Sequence, residues 1–176
     1  LRAQDPLNGG FRMSVTEPVI KEVPALRVLT RRERGAYQET IPRLIGELCA
    51  CIYPTEGRQP AARAAGPIMF VCHDEEYRET DADIEMAIPI TGSINLEGTA
   101  VEVRTLPGGR FVSVLYTGAY PGVRKAYERL FAYMGEHRLL AAGPSRELYL
   151  NNPHEVPEDE LLTEVLCPVQ EIPPSA

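Results

Sequence analysis

The chain has 176 residues, and its 18 Lys and Arg stand against 25 Asp and Glu, a formal net charge of −7. Such a balance gives no general attraction to phosphate backbones, so direct nucleic-acid contact is not expected. The 44% apolar content excludes a disordered chain, yet no apolar run reaches the ~18 residues that span a bilayer, so no membrane partner is expected.

Residues 1–12 (LRAQDPLNGGFR) are rich in Gly, Asn and Pro and lack hydrophobic periodicity. With the next four they make an N-terminal arm, 1–16. Two origins stay open for it: residues ahead of a start at Met13, or a linker from a preceding domain. No basic stretch with an apolar core behind it opens the chain, so no signal peptide is expected and the location reads as cytoplasmic. One domain is expected over 17–172, followed by a frayed tail, 173–176.

Within that domain, 25–30 reads as the first strand. Thr40 is placed as a helix N-cap and Pro42 in the first turn, where its missing N–H is harmless. Ile41, Leu44, Ile45, Leu48 and Ile52 then follow a helical stripe. Residues 54–67 read as a loop, 68–72 as a buried strand, 73–83 with six acidic residues as a solvated turn, and 84–90 as a strand. In the second half, 100–105 and 110–116 are strands around the turn Leu106-Pro107-Gly108-Gly109. Pro121 opens a helix whose apolar face is Val123, Ala126, Tyr127, Leu130, Phe131 and Met134. Residues 147–150 and 161–169 are the last strands.

The halves rhyme. Gly66-Pro67 leads, 19 residues after Gly66, to Glu85; Gly143-Pro144 leads, 21 residues after Gly143, to Glu164. Each glutamate stands four residues before a proline, Pro89 or Pro168, and Pro24 and Pro107 each precede a strand and an amphipathic helix. The pattern predicts an α+β fold of duplicated β-α-β-β units, about 17–92 and 98–172, related by a pseudo-twofold axis. Their antiparallel sheet and helices would bury apolar faces around a central ligand cleft.

Strand alternation puts Glu164 on one face with Leu162, Leu166 and Pro168, an acid among apolar neighbours. Glu85 similarly faces away from Ile84, Met86, Ile88 and Ile90. A buried carboxylate needs a partner: a cationic ligand, or an internal arginine such as Arg110 or Arg146. Phe70, Tyr116, Tyr120 and Tyr149 lie near these strands and suit stacking on flat or cationic ligands. Tyr127 and Phe131 belong to the helical stripe and read as core, while Tyr37 stays unassigned. Cys49, Cys51, Cys72 and Cys167 form no metal-spaced set and read as reduced, mostly buried thiols; no metal and no cofactor is expected. No nucleophile elbow, phosphate loop or zinc-protease motif occurs.

The segments Tyr116-Thr117-Gly118-Ala119-Tyr120, 123–137, Gly143-Pro144, 147–153 (ELYLNNP), 157–160 and 163–169 (TEVLCPV) resemble the GyrI-like small-molecule-binding family. That family includes the effector-binding domains of AraC-type and MerR-type multidrug regulators. The resemblance covers about 17–171 and is strongest over 106–170. It implies a cleft in which Glu164, matching the regulators' last-strand glutamate, meets cationic aromatic drugs. Tyr116 and Tyr149, with Tyr120 and Phe70, would line that pocket, and Glu85 would be the pseudo-symmetric counterpart. With no helix-turn-helix before residue 20, the chain is similar to stand-alone members. Binding of a hydrophobic, cationic or aromatic small molecule is the first expectation. The resemblance also implies two alternatives. One is hydrolysis of strained cyclopropane-bearing genotoxic compounds, with Glu164 or Glu85 as general acid/base and Tyr116 positioning the leaving oxygen. The other is a protein partner, DNA gyrase, met through the acidic loop 74–83.

Overall fold

Strand alternation and two helical stripes become eleven strands and two α-helices among residues 13–53 and 62–175, which this computed structural model describes. The arm up to residue 12 and the loop positions 54–61 lie outside the described residues. The strands are β1 (Ser14–Val15), β2 (Val19–Val23), β3 (Leu26–Gly35), β4 (Ala62–Ala64), β5 (Met69–Cys72), β6 (Ala82–Gly92), β7 (Glu102–Leu106), β8 (Gly109–Thr117), β9 (Leu139–Ala141), β10 (Ser145–Tyr149) and β11 (Leu162–Glu171). The helices are α1 (Tyr37–Ile52) and α2 (Arg124–Glu136), the latter entered through a 3₁₀ turn, Tyr120–Val123. Neither is long and apolar enough to cross a membrane.

The first helix begins earlier than its capping pattern predicts. Ala36 stands at the N-cap without a side-chain bond, and Thr40 lies buried in the first turn with its N–H donating to the Ala36 carbonyl at 2.9 Å. Pro42 therefore sits inside the helix. The cause lies in β3, which runs on to Gly35 because Arg32 and Arg34 ion-pair across the ladder with Asp83 and Asp81. The chain must then turn at once into the helix. Gly35 permits this, since a Cβ there would come within 2.2 Å of Thr40 Oγ1. Burial of Leu44, Leu48 and Ile52 against the sheet holds the helix despite the proline.

All pairings are antiparallel, in the order β1-β8-β11-β10-β5-β6-β3-β7, with β2 also on β8, β4 on β6 and β9 on β11. This is the α+β class. The order around β10 and β5 reads the same outward in both directions, β11-β8 on one side and β6-β3 on the other. Matching contacts recur: the Ala65 N–H donates to Pro89 at 2.7 Å, and that of Ala142 to Pro168 at 2.8 Å. A reciprocal crossing joins the sides. β2, which precedes β3, pairs with β8, while β7, which precedes β8, pairs with β3.

Both helices cover one face of the sheet. Under α1 lie Leu29, Phe70, Ile84, Met86 and Ile88; under α2 lie Val112, Val114, Tyr116, Val165 and Cys167. The opposite face curls on itself, so that Leu106 from the β7 edge packs with Met69, Val71 and Ala87 at the centre. Arg146 stacks over Phe111 there and donates from Nη2 to the Pro107 carbonyl at 2.6 Å.

Tyr116 anchors the entry to α2. Its hydroxyl donates to the Ala119 carbonyl at 2.7 Å, and a Cβ on Gly122 would lie 2.1 Å from the Tyr116 hydroxyl oxygen. Gly122→Val is therefore expected to lower stability by about 1–3 kcal/mol in urea unfolding. Gly46→Ala, in α1 with nothing within 4 Å, is expected to leave it unchanged or raise it by up to about 1 kcal/mol.

Candidate ligand site

The two glutamates singled out by the sequence lie on the curled face and are neutralised by the chain itself. Glu164 is held by Lys21 Nζ at 2.5 Å and accepts from Ser113 Oγ at 2.7 Å. Neither Arg110 nor Arg146 is its partner: Arg110 pairs with Glu171, and Arg146 bonds the Pro107 carbonyl. The lysine arrives on β2, which reads in the sequence only as an approach to the first strand. Glu85, with 2% of its side chain exposed, is more tightly held. Thr30 Oγ1 donates to it at 2.6 Å, Arg104 through Nε and Nη2 at 2.7 Å each, and His73 Nε2 lies 2.6 Å away. Burial alone would raise its pKa, but the bonds from His73, Arg104 and Thr30 hold it down at about 2. The clusters correspond: carboxylate, hydroxyl and a cation from the crossing strand, Glu85–Thr30–Arg104 and Glu164–Ser113–Lys21.

A cavity of about 300 Å³ adjoins Glu85, lined by Thr30, Arg32, His73, Glu102 and Arg104 among others. Two of its cations are already matched, Arg104 by Glu85 in the lining and Arg32 by Asp83 beside it. Asp81 and Asp74, from the acidic turn, likewise pair with Arg34 and Arg78.

The helix-covered face carries a different acid. In β10, Glu147 alternates with Arg146 and Leu148, so it points toward the helices along with Tyr149. Its cross-strand partners are Phe70 on β5 and Val165 on β11. Tyr127 of α2 donates its hydroxyl to Glu147 at 2.8 Å, and Tyr149 donates at 3.4 Å. Tyr120 sits edge-on to Tyr149 with centroids 5.4 Å apart. On the α1 side, Tyr37 is edge-on to Phe70 at 5.9 Å and stacked on Tyr77 at 5.6 Å.

No ion pair to Glu147 forms among the described residues. Burial, partly offset by the Tyr127 and Tyr149 bonds, leaves its pKa above the ordinary glutamate range. Burial and the neighbouring Glu147 push the Tyr127 and Tyr149 hydroxyls up, so both remain protonated donors. The Cys72 thiol, raised to about 11 by burial and Glu147, stays neutral as well.

Of the aromatics expected in a pocket, Phe70 and Tyr149 lie beside Glu147, and Tyr120 packs on Tyr149. Tyr116 does neither: it is 1% exposed in the core under α2. Sequence reasoning missed Glu147 and Tyr127. One available signal was the Gly-Pro repeat, since Glu147 and Phe70 stand four residues after Gly143 and Gly66.

The sequence matches the model of the GyrI-like small molecule binding domain over residues 16–170. The chain belongs to the GyrI-like family, whose domains bind small molecules. The crystal structure of the EcmrR C-terminal domain superposes on this GyrI-like chain with a TM-score of 0.71 at 24% identity, covering 88% of this chain and 98% of that one. A hydrolase from Listeria innocua gives 0.60 at 15% identity, covering 88% and 92%. SAV2435 bound to tetraphenylphosphonium gives 0.53 at 17% identity, covering 88% and 94%. At these identities the likeness is one of fold. No match was found among curated protein sequences. Among the described residues of this GyrI-like domain, no three His, Cys, Asp or Glu side chains converge as metal ligands.

Proposed function

We propose that this GyrI-like domain binds hydrophobic cations between its helices and its sheet. Glu147 supplies the counter-charge, and Tyr127, Tyr149, Tyr120 and Phe70 supply the walls. The observation that carries the reading is that Glu147 is surrounded by neutral hydroxyls and rings, with no cation beside it among the described residues. A visiting cation would relieve the cost of that burial and gain from the ring faces. The tetraphenylphosphonium bound to SAV2435, a protein of the same fold, is a molecule of this class.

In this reading the chain is two β-α-β-β units about a pseudo-twofold axis, and the site lies on that axis, where Glu147 and Phe70 pair directly. Glu164 and Glu85 then serve to tie the crossing strands down. The rings at present fill the site with one another, so a ligand takes the place of contacts such as Tyr120 on Tyr149.

Calorimetric titration with tetraphenylphosphonium and with neutral triphenylphosphine oxide tests the reading. The cation is expected to bind at least about tenfold more tightly, the worth of one charge-assisted contact. Equal affinities, or no binding of the cation, would remove the role given to Glu147.

A further inference from the structure

Thr163 is fully buried on β11, and its hydroxyl has no hydrogen-bond partner among the described residues. Buried hydroxyls are ordinarily bonded, and an orphan costs stability that a valine of the same shape would not. The other buried hydroxyls of this sheet obey the rule, since that of Thr30 meets both Glu85 and the Met86 carbonyl and that of Ser113 donates to Glu164. The position of Thr163 is informative. Its cross-strand neighbours are Tyr149 on β10 and Tyr116 on β8, so it faces the helices. Tyr149 packs with the α1 core and Tyr116 with the α2 core, which puts Thr163 at the seam between them. The ring that covers Tyr149 is Tyr120, from the 3₁₀ turn whose N-cap, Ala119, makes no side-chain bond.

We infer that Thr163 is a specificity-determining residue on the floor of the site: its hydroxyl selects cations that carry a hydrogen-bonding group on their hydrophobic body over bare hydrocarbon cations. The inference rests on the cation reading of Glu147 and adds a second polar anchor to it. The ligand class becomes an amphipathic cation with a hydroxyl, ether, carbonyl or amine a short distance from its charge. Val165, the next residue on the same face, offers no such group. Thr163 thus carries the one hydroxyl that β11 turns toward the helices between Thr163 and Val169, and the Cys167 thiol on that face already donates to the Pro168 carbonyl.

The test uses the full chain with two probes that differ by one hydroxyl, tetraphenylphosphonium and (4-hydroxyphenyl)triphenylphosphonium. Thr163→Val is expected to weaken the hydroxylated probe by about five- to tenfold, the loss of one hydrogen bond. The same variant should leave tetraphenylphosphonium unchanged and raise the melting temperature of the free protein. Thr163→Ser should restore the preference. Equal loss for both probes would make Thr163 a packing residue and overturn the inference, as would unchanged affinity for both. If neither probe binds the unaltered protein, the cation reading itself fails and Thr163 falls with it. Binding of both without discrimination by the valine variant removes Thr163 alone.

Discussion

Glu147→Gln is expected to cost hydrophobic cations about ten- to a hundredfold in affinity, the range of about 1.5–3 kcal/mol for a charge-assisted contact. Neutral ligands of the same shape should be unaffected, because glutamine keeps the volume and still accepts the Tyr127 hydroxyl. The variant should also be more heat-stable. The direction follows from linkage. In the unfolded chain Glu147 titrates near the ordinary value of 4.5, and in the folded chain higher, because burial disfavours the carboxylate. The folded state therefore holds the proton longer, and stability falls as pH rises from 4.5 through the folded value. Above that window the full cost of an ionised Glu147 is present, and the advantage of glutamine is largest. Cation affinity should rise over the same window, with proton release on binding at its lower end. Calorimetry in two buffers of different ionisation heat measures both. An affinity that ignores pH, or a glutamine variant that binds like the parent, would sink the counter-charge role.

Arg104→Met is expected to be the most destabilising single change on the curled face, about 3 kcal/mol in urea unfolding. Removing one partner of a buried ion pair typically costs about 3–5 kcal/mol, because the other charge stays inside unmatched. The lower end applies because 38% of the Arg104 side chain is exposed, although Glu85 itself is not. Adding Glu85→Gln should recover most of the loss. The pH dependence is opposite to that of Glu147. With its folded pKa held at about 2, below the ordinary 4.5, Glu85 contributes stability above 4.5 that disappears as pH falls toward 2. The double variant should lack this acid-sensitive component. The matching pair, Lys21 with Glu164, is 41% and 16% exposed, so Lys21→Met should cost only about 1 kcal/mol. A parent-like Arg104→Met protein would show that Glu85 is held by Thr30 and His73 alone.

Much of the fold was legible because periodicity reports burial directly. Leu44, Leu48 and Ile52 in α1, and Ala126, Leu130 and Met134 in α2, are the buried positions their spacing predicts. Alternation also separated Glu85 from Ile84 and Met86. It could not say which face of a strand the helices cover, and the site turned on that. Glu164 has the pattern of an isolated buried acid, and only the register of β2 on β8 supplies its lysine. Glu147 looked ordinary in a short mixed strand, and only β10 pairing with β5 puts it against Phe70. Tyr127 follows the helical stripe as core, but its hydroxyl ends at Glu147. Phe131 lies on the same stripe yet is 49% exposed, stacked on Tyr127 at the rim of the helix.

The crossing of β2 onto β8 and of β7 onto β3 bears on how the chain tolerates being cut. A nick in the exposed connection between β6 and β7 leaves two pieces, each missing an edge that the other piece supplies. Neither piece completes its own hydrogen-bonded ladder, so the two pieces are expected to fold only on association, each supplying the other's missing edge.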